Sequence, residues 1–230
     1  KVFMRILILL FSFVFISCKS TFKVVDRKDI VLDSVGIRAI FPTIDGVWFG
    51  GTNSKAGFVS FQNDSDTKIV KLQKEITDFR SMSNSSNGIL FLNAGTPANI
   101  YAMTTFGYSC ASSLLYSESG EKVFYDSMFI DAKTKFGVII GDPTEDCLSI
   151  LLTEDSGKTW NKIPCTNLPK TVDGEAAFAA SDTNVKIVDG VIFIISGGKK
   201  SRLFKSKDKG KTWEVFETPI IQGEAMTGAF

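Results

Sequence analysis

The sequence contains no histidine. That absence removes the commonest general base near neutral pH and the commonest nitrogen ligand for a metal. Neither a Ser-His-Asp nor a Cys-His site can be assembled from these 230 residues. An excess of charge is missing too: 26 basic and 25 acidic residues leave a net charge of +1. Without the basic stripe that neutralises a phosphate backbone, a nucleic-acid partner is not expected. No G-x-G-x-x-G turn joins a strand to a helix, the arrangement a dinucleotide needs, and no cofactor is implied. Beyond the N-terminal segment, helical periodicity of useful length is also lacking.

What is present is strand chemistry. Hydrophobic residues make up 44% and charged residues 22%, a globular and not a disordered composition. Phenylalanine occurs 20 times, and Val, Ile and Thr recur in the short runs that suit a pleated, half-buried surface.

The N-terminus reads as an address. Lys1 and Arg5 flank the start of an apolar run over 6–16, too short to span a bilayer as a helix. A charged segment, an apolar run and a small residue before a cleavage point are the order of a secretory signal. Phe15-Ile16-Ser17-Cys18 resembles a bacterial lipobox, with Phe15 where leucine is usual. The resemblance implies that 1–17 form a lipoprotein signal peptide and that Cys18 carries the lipid. It further implies that 18–33 are a polar tether and that the protein sits in the bacterial cell envelope, on a periplasmic or outer-membrane surface. A plain signal peptide with an incidental cysteine is the alternative.

The rest of the chain repeats. A charged, a small and an apolar residue recur at Arg38-Ala39-Ile40, Arg80-Ser81-Met82, Asp126-Ser127-Met128 and Glu175-Ala176-Ala177, and in altered form at Thr227-Gly228-Ala229. The steps between them are 42, 46, 49 and 52 residues. Each is followed by a turn and an apolar run, at 45–49, 87–91, 137–140 and 189–193, and then by a third strand near 57–61, 99–103, 148–153 and 202–206. Four short strands in a period of this length are the signature of propeller blades. The expected fold is therefore all-β, a propeller of four-stranded antiparallel blades near 34–76, 77–122, 123–172 and 173–222. A fifth blade is expected to begin at 223–230, with more of the ring to follow.

Two of these units carry a sharper mark. Thr153-Glu154-Asp155-Ser156-Gly157-Lys158-Thr159-Trp160 and Ser206-Lys207-Asp208-Lys209-Gly210-Lys211-Thr212-Trp213 share the pattern S/T-x-D-x-G-x-T-W. Its chemistry suits a hairpin: Gly157 and Gly210 permit positive φ, Asp155 and Asp208 accept turn N–H groups, and Trp160 and Trp213 anchor the corner. With Gly141-Asp142-Pro143-Thr144-Glu145-Asp146-Cys147, Gly174-Glu175-Ala176-Ala177-Phe178 and Met226-Thr227-Gly228, these boxes resemble the BNR/Asp-box propellers, which include sialidases and the photosystem II stability/assembly factors. The chain is most similar to bacterial lipoproteins related to the assembly factors. The resemblance covers about 35–230 and implies a ring of six or seven blades serving as a membrane-tethered binding or assembly module. Some such proteins are labelled oxidoreductases, but no redox motif occurs here.

Strand alternation then sorts the candidate residues. Arg38, Arg80, Asp126 and Glu175 are expected at one mouth of the array, with the loops 51–55, 93–99, 141–146 and 197–201, while Asp155 and Asp208 lie at the opposite face. Two arginines suit a carboxylate, phosphate or sulfate, so the mouth reads either as a site for a protein, anionic or glycan ligand or as a hydrated channel of mutually neutralising charges. Asp142, Glu145 and Asp146 offer oxygen ligands for a hard cation or make a solvated turn closed by Pro143. Lys199, Lys200 and Arg202 read as a solvated basic tip. Cys147 and Cys165 flank the first box hairpin almost symmetrically, as a disulfide or as two buried thiols, leaving Cys110 unpaired. A sialidase-like glycoside hydrolase is the competing function; it needs an arginine triad, a Tyr-Glu pair and an acid/base Asp. Arg38, Arg80, Asp126 and Tyr125 could be drawn into it, yet alternation turns Tyr125 away from the side that Asp126 faces. A non-catalytic binding module is the expectation.

Overall fold

A computed structural model describes residues 29–230, except 64–66, 73–76, 87, 107–108, 181 and 230, and the side chains of 105–110. The expected signal peptide, the lipid-bearing Cys18, most of the 18–33 tether and the Cys110 side chain lie outside the described residues. The body of the fold is the unit Ser34–Phe230. It is all-β: the described residues contain no α-helix, and hence none long and apolar enough to cross a membrane.

The strands fall into four antiparallel sheets taken in chain order. The first comprises β1 (Ile37–Pro42), β2 (Gly46–Gly51), β3 (Lys55–Ser60) and β4 (Lys68–Lys71); the second β5 (Asp78–Ser85), β6 (Gly88–Ala94), β7 (Ala98–Phe106) and β8 (Ser109–Glu118). The third comprises β9 (Tyr125–Ile130), β10 (Gly137–Gly141), β11 (Ser149–Thr153) and β12 (Asn161–Lys162). In the fourth, β14 (Val185–Val188), β15 (Val191–Ile195), β17 (Arg202–Ser206) and β18 (Glu214–Glu217) pair in that order, with a two-stranded ribbon of β13 (Glu175–Ala176) and β16 (Gly197–Gly198) beside them. Every sheet is a meander, because each turn is too short for anything but an antiparallel neighbour.

The second strand of each central sheet shows how the sheets stack. All five residues of β10 are buried. Ile139 joins Leu90, Leu92 and Ile100 of the second sheet in one cluster, while Val138 and Ile140 join Ile192, Ile194 and Phe204 of the fourth in another. β6 behaves alike: Leu90 and Leu92 face the third sheet, and Ile89 and Phe91 pack with Ala39 and Ala56 of the first. Alternating side chains thus feed two different cores, so these runs read as continuously apolar instead of alternating.

Polar contacts repeat at both ends of the stack. At one end, the loop after each second strand meets the start of the next sheet: Thr77 N–H donates to the Ser54 hydroxyl at 3.1 Å, Gly120 N–H to the Thr96 hydroxyl at 3.2 Å and Ala177 N–H to the Asp142 carboxylate at 3.1 Å. The fourth sheet repeats the pattern, Gly198 N–H donating to Thr227 O at 2.6 Å, with Gly228 bridged to Gly197.

The box hairpins make the contacts at the other end. In the first, Thr159 N–H and hydroxyl donate to the two Asp155 oxygens at 2.9 and 2.7 Å, Gly157 N–H donates to the Thr153 hydroxyl at 2.9 Å, and the Trp160 indole donates to Gly157 O at 3.1 Å. The second reproduces this through Thr212, Asp208, Ser206, Gly210 and Trp213. Each turn presses on the preceding sheet. A side chain at Gly157 would meet Leu90 at 2.4 Å, and one at Gly210 would meet Leu152 at 3.1 Å. Ser86 N–H also donates to the Ser156 hydroxyl at 2.9 Å. Beside the first hairpin Cys147 and Cys165 are bridged, with Cα atoms 5.7 Å apart and a sequence separation of 18.

Gly157 and Gly190 offer a controlled comparison, since both have positive φ, 83° and 77°, but only Gly157 is crowded. Replacing Gly190 with Ala should cost about 1 kcal/mol, the strain of a left-handed residue. Gly157→Ala should cost distinctly more, about 2–4 kcal/mol, because Leu90 must also give way. Urea unfolding of both variants measures the difference; equal losses would mean that the turn does not bear on the neighbouring sheet.

Candidate functional site

The start of each sheet's first strand and the loop joining its second and third strands lie at the same end, because successive antiparallel strands reverse direction. Two cavities open there. One, of about 430 Å³, is lined by Asp78, Arg80, Asn93, Thr96, Asn99 and Phe124 among others. The other, of about 730 Å³, is lined by Asp142, Glu145, Asp146, Asp173 and Glu175. Gly95, Thr96 and Phe124 line both, so they form one continuous mouth. Asp155 belongs to the far end. Ser156 N–H donates to Lys135 O in the turn after β9, a strand's length of roughly 13 Å from Asp126.

Arg38 and Arg80 meet at this mouth through a carboxylate absent from the expected set. The Asp78 Oδ2 stands 3.8 Å from Arg38 Nε and 3.9 Å from Arg80 Nη2. Both separations exceed hydrogen-bond length, so the pairings are electrostatic and leave guanidinium donors unspent. Arg80 Nε in particular is buried without a partner.

Asp126 lies behind Arg80, 1% exposed, with its Oδ2 buried and unpartnered. Burial first, and repulsion from Asp142 second, push its carboxyl up to about 8 despite the attraction of Arg80. Asp142 is raised as well, by burial, against the N–H that Ala177 offers it. At neutral pH Asp126 is therefore a neutral acid, a hydrogen-bond donor and not a counter-charge.

Glu175 is placed differently from the other three. It lines the larger cavity, but its carboxylate is fully engaged: Arg202 grips it with Nε (3.0 Å) and Nη2, the Ser196 hydroxyl donates at 2.5 Å and Val172 N–H at 2.9 Å. Arg202 consequently leaves the basic tip in which the sequence suggests it, drawn in because a buried carboxylate needs a partner. Lys200 pairs with Glu217 at 2.6 Å and Lys199 with Asp173 at 3.4 Å. In the 141–146 loop, Asp146 turns outward to Lys170 at 2.6 Å. Among the described residues no three acidic, Cys or His side chains converge as a metal site.

The fourth sheet also departs from the regular repeat. Between β13 and β14 lies a segment outside the sheet, described at 177–180 and 182–184. There Asp182 accepts from Met82 N–H at 3.4 Å, and the Ser127 hydroxyl donates to Asn184, whose amide donates to Phe178 O at 3.0 Å. Burial raises the Asp182 carboxyl to about 7 against hydrogen bonds from Ser81 and from the N–H groups of Met82 and Met128. Its Oδ1 is buried with no partner, and it faces a third cavity of about 400 Å³ with Arg38 and Lys186.

Tyr125 is 1% exposed and packs between the second and third sheets. Its hydroxyl donates to Glu118 at 2.8 Å, as does that of Tyr116 at 2.6 Å, while Lys162 closes the group at 2.5 Å. Burial, reinforced by Glu118, raises both phenols far above their ordinary range.

Sequence reasoning passed over Asp78, Asn99 and Asp182. Asp78 lies only two residues before Arg80, but Arg80 sits at a β-bulge, so strand alternation alone does not bring the two together. Asn99 opens the expected third strand at 99–103, where nothing singles it out from its neighbours, and Asp182 lies outside the repeat. No protein-family model matches this chain, and no curated protein sequence is similar to it.

The raised carboxyls set a pH dependence. Asp126 and Asp182 titrate at about 8 and about 7 when folded and near 3.8 when unfolded. The native state therefore binds more protons between those limits, and stability falls as pH rises from about 4 to about 8. Asp182→Asn should flatten that slope and gain stability at pH 8, as read from unfolding midpoints across pH. A slope unchanged by Asp182→Asn and Asp126→Asn together would show that neither carboxyl is protonated in the native state.

Proposed function

We propose that this protein is an exported, lipid-anchored β-propeller of the Asp-box type, acting as a non-catalytic binding module whose mouth takes a small polar ligand carrying an anionic group. The buried, unpartnered Nε of Arg80 carries this reading, because an unspent guanidinium donor is costly unless a ligand engages it. The electrostatic pairing of both arginines with Asp78, too long for hydrogen bonds, supports it. Four meander sheets stacked in chain order, with like contacts at each junction, support the propeller. The two congruent box hairpins support the likeness to the Asp-box family, and Ser17-Cys18 after the apolar run supports a lipid anchor in the cell envelope.

A hydrolase reading finds one favourable feature, the neutral acid Asp126. It lacks the nucleophile. The Tyr125 hydroxyl is locked onto Glu118 inside the stack, and burial makes it harder to ionise. Tyr125 is a packing residue held by a hydrogen bond, and the mouth binds without cleaving.

Calorimetry of the full chain against acetate, other small carboxylates, phosphate and sulfate tests the proposal. Arg80→Ala should weaken the binding of any ligand found by about 1.5–3 kcal/mol, the scale of a charge-assisted hydrogen bond. Asp155→Ala, at the far end, should lower stability and leave the affinity of the folded fraction unchanged. Binding indifferent to Arg80 would remove the mouth from the account.

A further inference from the structure

The smaller cavity holds opposite charges side by side, and that arrangement says more than the presence of an arginine. Asp78 and Arg80 lie two residues apart on β5, Arg80 at the β-bulge where the register against β6 shifts, with their nearest charged atoms 3.9 Å from each other. Neither saturates the other at that distance. Asp78 keeps lone pairs, and Arg80 keeps its buried Nε. A simple anion seated on Arg80 would lie against Asp78 and be repelled by it; a simple cation on Asp78 would meet Arg80.

Asn99 adds an independent constraint. It is 7% exposed and lines the same cavity, and its Oδ1 is buried without a partner while its Nδ2 donates to the Tyr101 hydroxyl at 3.3 Å. Turned over, the amide would satisfy its oxygen and strand its nitrogen, so in either orientation one polar atom is left for something in the cavity. Its neighbour Asn93 has no such surplus. Asn93 donates to the Thr77 hydroxyl at 3.1 Å and to Pro97 O at 3.0 Å and accepts from Asn99 N–H, holding the loop that presents Asn99.

We propose that this cavity binds a small zwitterion of the α-amino-acid class, its carboxylate on Arg80, its ammonium on Asp78 and one of the two on Asn99. The proposal rests on reading the mouth as a ligand site and narrows the ligand from an anion to a molecule with adjacent charges of both signs. A cavity of about 430 Å³ lies at the small end of the ~300–1,000 Å³ that small-molecule sites occupy. The side chain of the ligand has room to extend past Phe124 into the larger, acidic cavity.

The test is a calorimetric screen of the full chain against the common L-α-amino acids one by one. Each hit is followed by its N-acetyl derivative, which lacks the cation, its carboxamide, which lacks the anion, and acetate. Blocking either charge should weaken binding at least tenfold. Asp78→Asn should weaken the amino acid at least tenfold while weakening the N-acetyl derivative little, and Asn99→Ala should weaken binding several-fold. Unfolding midpoints of both variants, measured alongside, separate lost binding from lost structure. An N-acetyl derivative or acetate that binds as tightly as the amino acid would overturn the zwitterion and leave an anion mouth standing. Failure of every amino acid to bind the folded protein would overturn the proposal outright.

Discussion

The central sheets of this protein are apolar on both faces, and everything else follows from the need to cover them. A strand such as β10, buried at all five positions, gains nothing from an isolated meander, because one face would remain in water. Stacking sheet on sheet places Ile139 in one core and Val138 and Ile140 in the next. Each core therefore depends on two sheets, and each central sheet on two cores. The box hairpins extend that dependence to the edges. Asp155 is the clearest case: burial opposes its ionisation, yet the N–H and hydroxyl of Thr159 and the Thr153 hydroxyl hold its carboxyl down at about 2. A turn so tied is a rigid body, and it presses Gly157 against Leu90 of the preceding sheet.

Such a stack leaves the opposite end free to carry chemistry. The strands deliver Asp78, Arg80, Asn99 and Asp126 to fixed positions, and a loop brings Asp142 beside them, rigid elements below and adaptable loops above. The charges there are treated in two ways. Glu175 is buried and matched by Arg202 and two further hydrogen bonds, which makes it part of the architecture. Arg80 Nε, Asp126 Oδ2 and Asn99 Oδ1 are buried atoms left unmatched. Unmatched polar atoms cost stability wherever they stay dry. Two of them, Arg80 and Asn99, line the same cavity, and the proposed ligand site rests on that pair.

Much of this was legible in the residues, and the boundary of legibility has a physical cause. Period and turn chemistry revealed the all-β meander, the four units and the congruent hairpins of Asp155 and Asp208, because these are local. Strand alternation set Tyr125 and Asp126 on opposite sides, but β9 carries a β-bulge at Asp126 against β10, which alternation does not foresee. The symmetrical placement of Cys147 and Cys165 around a hairpin left a bridge and a pair of thiols both open; the structure joins them. Partnerships between distant segments were beyond reach. Glu175 looked equivalent to Arg38, Arg80 and Asp126, yet its pairing with Arg202 makes it different and leaves no periodic trace. Asp182 and Asn184 likewise take their meaning from Ser81, Met82 and Ser127, about a hundred residues or fewer away in the chain.

The claim on which the rest depends is that the sheets are held by one another and not singly. Native-state hydrogen exchange on a Gly157→Val variant tests it directly, because the substitution lies in the third sheet and its clash falls on Leu90 of the second. Accelerated exchange across β6 in the second sheet, together with β10 and β11 in the third, is the predicted result. Acceleration confined to the third sheet, with β6 as protected as before, would contradict the account.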